Sequence, residues 1–101
     1  MGVIPFYTKS PTERFTIGLD FTQELPSGVT LTSGICVAIN RKTEAVATSV
    51  LLANGTTVTI SGNIGKISID GGVSGTWYEV HFTMTCSSST TLKGKAVVFV
   101  E

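Results

Sequence analysis

The strongest constraint on the fold is a long stretch, residues 76–86, in which side chains of opposite character alternate at nearly every position. A period of two places successive side chains on opposite faces of a β-strand. One face is apolar and is assigned to the core: Tyr78, Val80, Phe82, Met84 and Cys86. The other face points away from the core and carries Trp77, Glu79, His81, Thr83 and Thr85. The stretch therefore predicts a β-strand that covers a core on one side only.

Shorter stretches of the same kind recur along the chain. Strands are predicted at residues 14–22, 29–40, 50–52, 57–60, 64–69 and 91–100. In residues 29–40 the alternation places Ile35, Val37 and Ile39 on the apolar side of the strand. Gly34 in the same stretch predicts a bulge or bend. Asn54-Gly55 predicts a hairpin between 50–52 and 57–60, because both residues tolerate positive φ. A short helix within 45–53 is an alternative for that less clearly patterned segment.

Many short strands separated by turn signals, without a convincing amphipathic helix, indicate an all-β fold. We predict an immunoglobulin-like Greek-key β-sandwich of about seven strands. A small barrel is the rival that the pattern alone does not separate. The spacing of Gly75, Tyr78 and Val80 favours the sandwich, since it matches a tyrosine corner, where a Tyr hydroxyl bonds the backbone a few residues upstream.

The 101 residues are enough for one core, and we assign 14–101 to a single domain. Residues 1–13 contain Pro5 and Pro11 and no sustained period, so they are predicted to form an extended N-terminal arm. The arm lacks the pattern of a secretory signal, and no apolar run approaches the ~20 residues of a membrane helix. We therefore expect a protein made in a cytoplasm.

The charge balance excludes several classes of partner. Seven basic and seven acidic residues give a formal net charge of zero, so no basic field is available for nucleic acid or an anionic membrane. Only 14% of residues are charged, which favours association over repulsion between molecules.

No group of residues has the spacing of a catalytic, cofactor or metal site. His81 is the only histidine, and Asp20 and Asp70 each lie far from a second carboxylate in the sequence. The glycines at 71, 72 and 75 predict a turn, since no helix or lysine follows to complete a phosphate cradle. Cys36 and Cys86 are expected to be free, buried thiols. The sequence therefore predicts a protein that is not an enzyme and has no cofactor.

Trp77 is a candidate functional residue, because its predicted position puts a large aromatic side chain on the outward face. It shares the outward face with Glu79 and His81, and these three are the candidate interface residues of the predicted strand. Either a partner protein contacts Trp77, or Phe6 and Tyr7 of the arm fold over it. Phe6 and Tyr7 are therefore candidate interface residues as well.

Several short motifs carry a resemblance to a known family. They are Lys9-Ser10-Pro11-Thr12-Glu13, Asp20-Phe21-Thr22-Gln23-Glu24-Leu25, and the spacing of Gly75, Tyr78 and Val80. In this order they resemble the small phage and prophage proteins called fiber-tail adaptors. The resemblance implies a non-enzymatic component of the tail or connector of a virion, assembled in the bacterial cytoplasm. It also implies docking to other tail or connector proteins, and we expect a homo-oligomer in the assembly.

Another class of function stays open at this point. A bacterial immunoglobulin-like module that binds carbohydrate or a cell-surface partner is the alternative to the adaptor. Such a module requires an aromatic platform and an export route or a larger parent chain, and none of these is visible in the sequence.

Overall fold

Seven strands, one short α-helix and one 3₁₀ turn are present in the computed structural model, which describes residues 4–52 and 55–101. The strands are β1 Phe6–Lys9, β2 Phe15–Asp20, β3 Leu31–Asn40, β4 Thr59–Ser61, β5 Ile64–Ile69, β6 Thr76–Cys86 and β7 Thr91–Val100. The helix α1 spans Thr48–Leu51, and the 3₁₀ turn spans Thr22–Glu24. The predicted long strand is thus confirmed as β6 with the same bounds.

The strands form two sheets, and this arrangement confirms the all-β sandwich. One sheet has the order β1-β7-β6-β3, and the other has the order β2-β5-β4. All neighbours are antiparallel except β1, which pairs parallel with β7. The neighbours within β3-β6-β7 and β2-β5-β4 are those of strands C, F, G and B, E, D in an immunoglobulin domain. The immunoglobulin-like assignment itself stays a prediction.

The core lies between the two sheets. Tyr78, Val80, Phe82 and Met84 of β6 are at most 2% exposed, as the alternation predicts. The facing sheet contributes fully buried side chains from β2 and β5: Ile17, Leu19, Ile67 and Ile69. Each such burial stabilises the fold by roughly 1.5–3 kcal/mol. Tyr78 also accepts a hydrogen bond from the N–H of Val73 at 3.0 Å, which is the upstream backbone contact predicted for a tyrosine corner.

The prediction of which side chains of β3 face the core is wrong. Ile35 and Val37 are exposed, whereas Gly34, Cys36 and Ala38 of the same strand are buried. The reason is a register shift between Leu31 and Ser33, because one extra residue moves every later side chain to the opposite face. The bulge predicted at Gly34 therefore lies earlier in the strand. Gly34 has a different role, since a Cβ atom there would overlap the Met84 sulfur.

The strand predicted at 50–52 is also wrong, and the helix alternative for 45–53 is confirmed. Val50 and Leu51 belong to α1, where Leu51 is fully buried. The segment meets β3 through backbone hydrogen bonds from Asn40 N–H to Ala45 C=O and from Ala47 N–H to Ala38 C=O, and then turns inward to bury Leu51 and Leu52. The hairpin predicted at Asn54-Gly55 includes Asn54, which lies outside the described residues.

Part of the segment predicted as an arm belongs to a sheet. Phe6–Lys9 of the segment 1–13 form β1, and its residues pair with 97–100 of β7. Lys9 is the buried charged residue of the described chain, at 1% exposure, and its Nζ donates to the C=O of Ser10 and of Gly71. Burial lowers the pKa of Lys9, while the carboxylates of Asp70 and Glu13 act in the opposite direction.

Candidate interaction surface

An aromatic cluster lies on the outer face of the four-stranded sheet. The ring of Trp77 is 4.7 Å from that of Phe99 and 5.4 Å from that of Phe6, measured between centroids. The pairing register explains the meeting, since Trp77 lies opposite Phe99 on the adjacent strand, and Phe6 projects from β1 on the far side of β7. The guanidinium carbon of Arg41 is 5.8 Å from the Trp77 centroid, within the range of a cation–π contact. Trp77 nevertheless keeps 41% of its surface exposed, and Phe6 keeps 53%.

A charged cluster lies next to the aromatic cluster. Glu79 is at its centre, and its carboxylate is 3.1 Å from Nε2 of His81, 3.5 Å from Nε of Arg41 and 3.9 Å from Nζ of Lys95. The side chain of Glu79 is only 18% exposed, so the surrounding cations compensate a partly desolvated charge. With Lys93 beside His81, and Glu44 beside Arg41 and Glu79, this face has three cations and two carboxylates, with His81 counted as neutral. The face therefore has an excess of positive charge on a chain that is neutral overall.

Aliphatic side chains complete this face. Ile35 is 54% exposed and Val37 is 37% exposed, on the outer side of β3, and Ile4 is 48% exposed beside His81 and Lys95. Five of the eight exposed large hydrophobic side chains of the described residues are thus on one sheet face: Ile4, Phe6, Ile35, Val37 and Trp77. We call this surface the outer face. A one-sided antiparallel sheet normally presents polar residues to water, so this concentration of exposed apolar side chains makes the outer face the candidate interaction surface.

The second sheet presents a different surface. Its outer side has a shallow pocket lined mainly by hydroxyl and glycine residues, with Thr16, Thr59, Lys66 and Ser68 among them. No exposed large hydrophobic residue of the described chain lies on β2, β4 or β5. Of the two sheets, only the four-stranded one therefore has exposed large hydrophobic side chains on its strands, among the described residues.

Four of the five candidate residues from the sequence lie together on the outer face, and Tyr7 does not. Phe6 contacts Trp77, as expected for the arm, but Tyr7 points to the inner side, because neighbours on a strand face opposite ways. The Tyr7 ring is 6.3 Å from that of Phe15, and its hydroxyl donates to the C=O of Gly18 at 3.3 Å. Phe99 and Arg41 were missed, and only the pairing register could have placed them beside Trp77.

The residues that carry the family resemblance hold turns. The carboxylate of Glu13 accepts the N–H of Ser10 at 2.6 Å, which closes the turn between β1 and β2. Asp20 accepts the N–H of Thr22 at 2.9 Å and also its hydroxyl, and these hydrogen bonds hold the pKa of Asp20 below its usual range. These motif residues therefore act in local structure, away from the outer face.

The two cysteines are free and buried, as predicted. Cys36 lies opposite Phe82 and Cys86 lies opposite Leu31, so they are four residues apart along β6, or about 13 Å. A disulfide needs Cα atoms within about 7 Å. Burial raises the pKa of the Cys36 thiol to about 12, which makes it unreactive at neutral pH.

Comparison with known families decides between the alternatives. The family model described as podophage GP4 fiber-tail adaptor protein gp77 matches residues 9–98. The chain belongs to this family. The fiber-tail adaptor resemblance predicted from the sequence is thereby confirmed, and the chain is a structural component of a phage tail.

One further comparison and two features of the structure bear on the function. A search of curated proteins finds no match to this adaptor. Within residues 4–52 and 55–101, no helix is long and apolar enough to cross a membrane, and no group of three His, Cys, Asp or Glu residues could hold a metal ion.

Proposed function

We propose that this adaptor is non-enzymatic and docks another protein of the phage tail or connector through its outer face. The observation that carries the proposal is the concentration of exposed apolar side chains on one sheet only. The family description, a fiber-tail adaptor, supports a partner within the tail.

The size of the outer face suits a protein interface. Three strands of 10 or 11 residues at about 4.8 Å spacing cover roughly 14 by 35 Å, and the four residues of β1 add roughly 5 by 13 Å. The sum, roughly 570 Å², is somewhat below the ~800 Å² that each partner contributes to a standard interface. Additional contacts by loops would bring the total into the normal range.

The composition of the outer face also suits docking. Trp and Arg are enriched among the residues that dominate binding energy, and here Trp77 and Arg41 are in contact at the edge of the face. The excess of positive charge favours a partner whose docking surface is apolar at its centre and acidic around it. We further propose that the adaptor is a homo-oligomer in the tail and that assembly takes place in the bacterial cytoplasm.

The test is a comparison of folding and assembly in Trp77→Ala. We expect its incorporation into purified tails to fall at least about tenfold, because an aromatic anchor is lost. The isolated variant should still fold, with a fall in melting temperature of about 4–8 °C for each kcal/mol lost, because Trp77 is partly exposed but contacts the rings of Phe6 and Phe99. Thr16→Ala, an exposed change on the other sheet, is the matched control.

The opposite outcome has a clear meaning. A large fall in melting temperature with normal incorporation would show that Trp77 serves only as structural cover within the outer face, and the docking proposal would lose its main support.

A further inference from the structure

β1 forms an open edge of the four-stranded sheet. The N–H of Val97 donates to the C=O of Pro5, and the N–H of Glu101 donates to the C=O of Lys9, both at 2.8–2.9 Å. In a parallel ladder the backbone groups of alternate residues point to the same neighbour, so residues 5, 7 and 9 face β7. The N–H and C=O groups of Phe6 and Thr8 therefore point to the other side, where residues 4–52 and 55–101 provide no further strand. Both side chains are also exposed.

The opposite edge of this sheet is closed. The backbone groups of β3 that point away from β6 are bonded to the segments 45–47 and 56–58. The hydrogen bonds are Cys36 N–H to Thr56 C=O, Val58 N–H to Gly34 C=O, Ala47 N–H to Ala38 C=O and Asn40 N–H to Ala45 C=O. Among the described residues, the side of the four-stranded sheet that can accept a strand is thus the β1 side.

β1 lacks most of the features that normally protect an edge strand. Natural edges use short strands, outward charges, prolines or bulges to prevent pairing with another chain, and β1 has only the first of these, since it is four residues long. Lys9, the charged residue of β1, turns inward and is buried, and the pairing of β1 with β7 has no register shift. Pro5 precedes the strand, and its C=O is used by β7. An edge without an outward charge, a bulge or an internal proline, next to exposed apolar side chains, is suited to pairing with an added strand.

We propose that β1 accepts an extended segment of another tail protein as a fifth strand of the sheet. This inference rests on the proposed docking function and specifies how the partner binds. The Phe6 and Thr8 backbone groups offer two donors and two acceptors, which recognise main chain without regard to sequence. Side chains of the added segment on the outer side lie next to Phe6 and Ile4, so apolar residues at alternate positions fit there.

A second copy of the chain fits this edge less well. Antiparallel pairing of two β1 strands about a two-fold axis would place Phe6 opposite Thr8, and Ile4 opposite Ser10. The N–H of Ser10 is already bonded to Glu13 at 2.6 Å, so the pairing would end after four hydrogen bonds at both ends. A segment of a different protein meets the same limit at Ser10 but is not forced to place a blocked residue opposite Ile4, so it can continue alongside Ile4 over the outer face.

The test uses Thr8→Pro with Thr8→Val as the matched control. Proline removes the N–H of residue 8, which β7 does not use, and its ring blocks a strand on that side. Valine keeps the N–H and the branched shape. We expect incorporation of Thr8→Pro into purified tails to fall at least tenfold relative to Thr8→Val, with both isolated variants melting near the natural chain.

Hydrogen exchange of the natural chain provides a second measurement that needs no variant. The backbone N–H groups of Phe6 and Thr8 should exchange rapidly in the isolated protein and slowly in assembled tails. Unchanged exchange of the segment 6–9 on assembly would overturn the proposal even if Thr8→Pro fails to fold.

The remaining outcomes separate this inference from the docking function. Normal incorporation of Thr8→Pro together with a defect in Trp77→Ala would overturn strand addition and leave docking by the outer face intact. Normal incorporation of both would overturn both proposals. If Thr8→Pro instead abolishes self-association of the isolated chain without affecting incorporation, the edge belongs to a second copy, and the commitment to a different protein is wrong.

Discussion

The double substitution Ile35→Thr with Val37→Thr separates docking from folding more cleanly than any change at an aromatic residue. Both side chains are on the outer face of β3, with 54% and 37% of their surface exposed, and threonine keeps the β-branched shape that strands favour. The isolated variant should therefore melt within a few degrees of the natural chain.

The magnitude of the docking defect follows from the exposed fractions. Full burial of an Ile or Val side chain contributes roughly 1.5–3 kcal/mol. A partner that covers the exposed 54% and 37% would gain about 1.5–2.5 kcal/mol from the two residues together. Threonine keeps one methyl group at each position, so a loss of about 1–2 kcal/mol is expected, or roughly 5–30-fold in affinity.

Competition during assembly measures this defect directly. The natural chain and the variant are expressed together with the other tail proteins, and mass spectrometry compares their ratio in purified tails with their ratio in the lysate. We expect the variant to be depleted roughly 5–30-fold. The control is Thr16→Ala with Thr59→Ala on the outer side of the other sheet, which should not be depleted. Equal ratios in tails and lysate for the β3 variant would refute the reasoning.

Three further expectations concern the fold. Tyr78→Phe removes the acceptor for the Val73 N–H and should cost about 1 kcal/mol, or a fall of about 4–8 °C in melting temperature; an unchanged melting temperature would refute the tyrosine-corner contact. Burial lowers the pKa of Lys9 in the folded chain, so as the pH rises toward 10.5 the unfolded chain holds the Lys9 proton longer, and stability rises. Lys9→Met should lack this contribution, so the difference in the free energy of unfolding between the two proteins should change with pH. Urea unfolding at a series of pH values measures this difference, and a constant difference would contradict the expectation. Iodoacetamide at pH 8 should leave both cysteines of the native chain unlabelled and label both after unfolding, whereas rapid labelling of native Cys36 would contradict its burial.

The parts of the fold that could be predicted are those where local pattern and tertiary environment agree. β6 is central in its sheet with one face on the core, so its alternation gives both the bounds and the buried side, and the contact of Tyr78 follows from its spacing. For β3 the environment overrides the pattern. Its small residues, Gly34, Cys36 and Ala38, face the core because a bulge near its start sets the phase, and at Gly34 the side chain of Met84 on the adjacent strand fills the space that a Cβ atom would need.

The candidate surface was predictable only in part for a similar reason. The outward position of Trp77, Glu79 and His81 follows from one strand and its period. Phe99, Phe6 and Arg41 reach Trp77 from other parts of the chain, and the register that brings them together is a property of the pairing between strands. Likewise, a short apolar run such as 50–52 fits a buried helix as well as a strand, and the decision depends on where the surrounding sheets leave room.

The central claim is that another protein covers the outer face in the assembled tail. Hydroxyl-radical footprinting of Trp77, the only tryptophan of the chain, tests it most directly, because 41% of this residue is exposed in the isolated adaptor. We expect the oxidation rate of Trp77 to fall several-fold in purified tails relative to the isolated chain. An equal rate in both would contradict it, since Trp77 would then remain open to solvent after assembly.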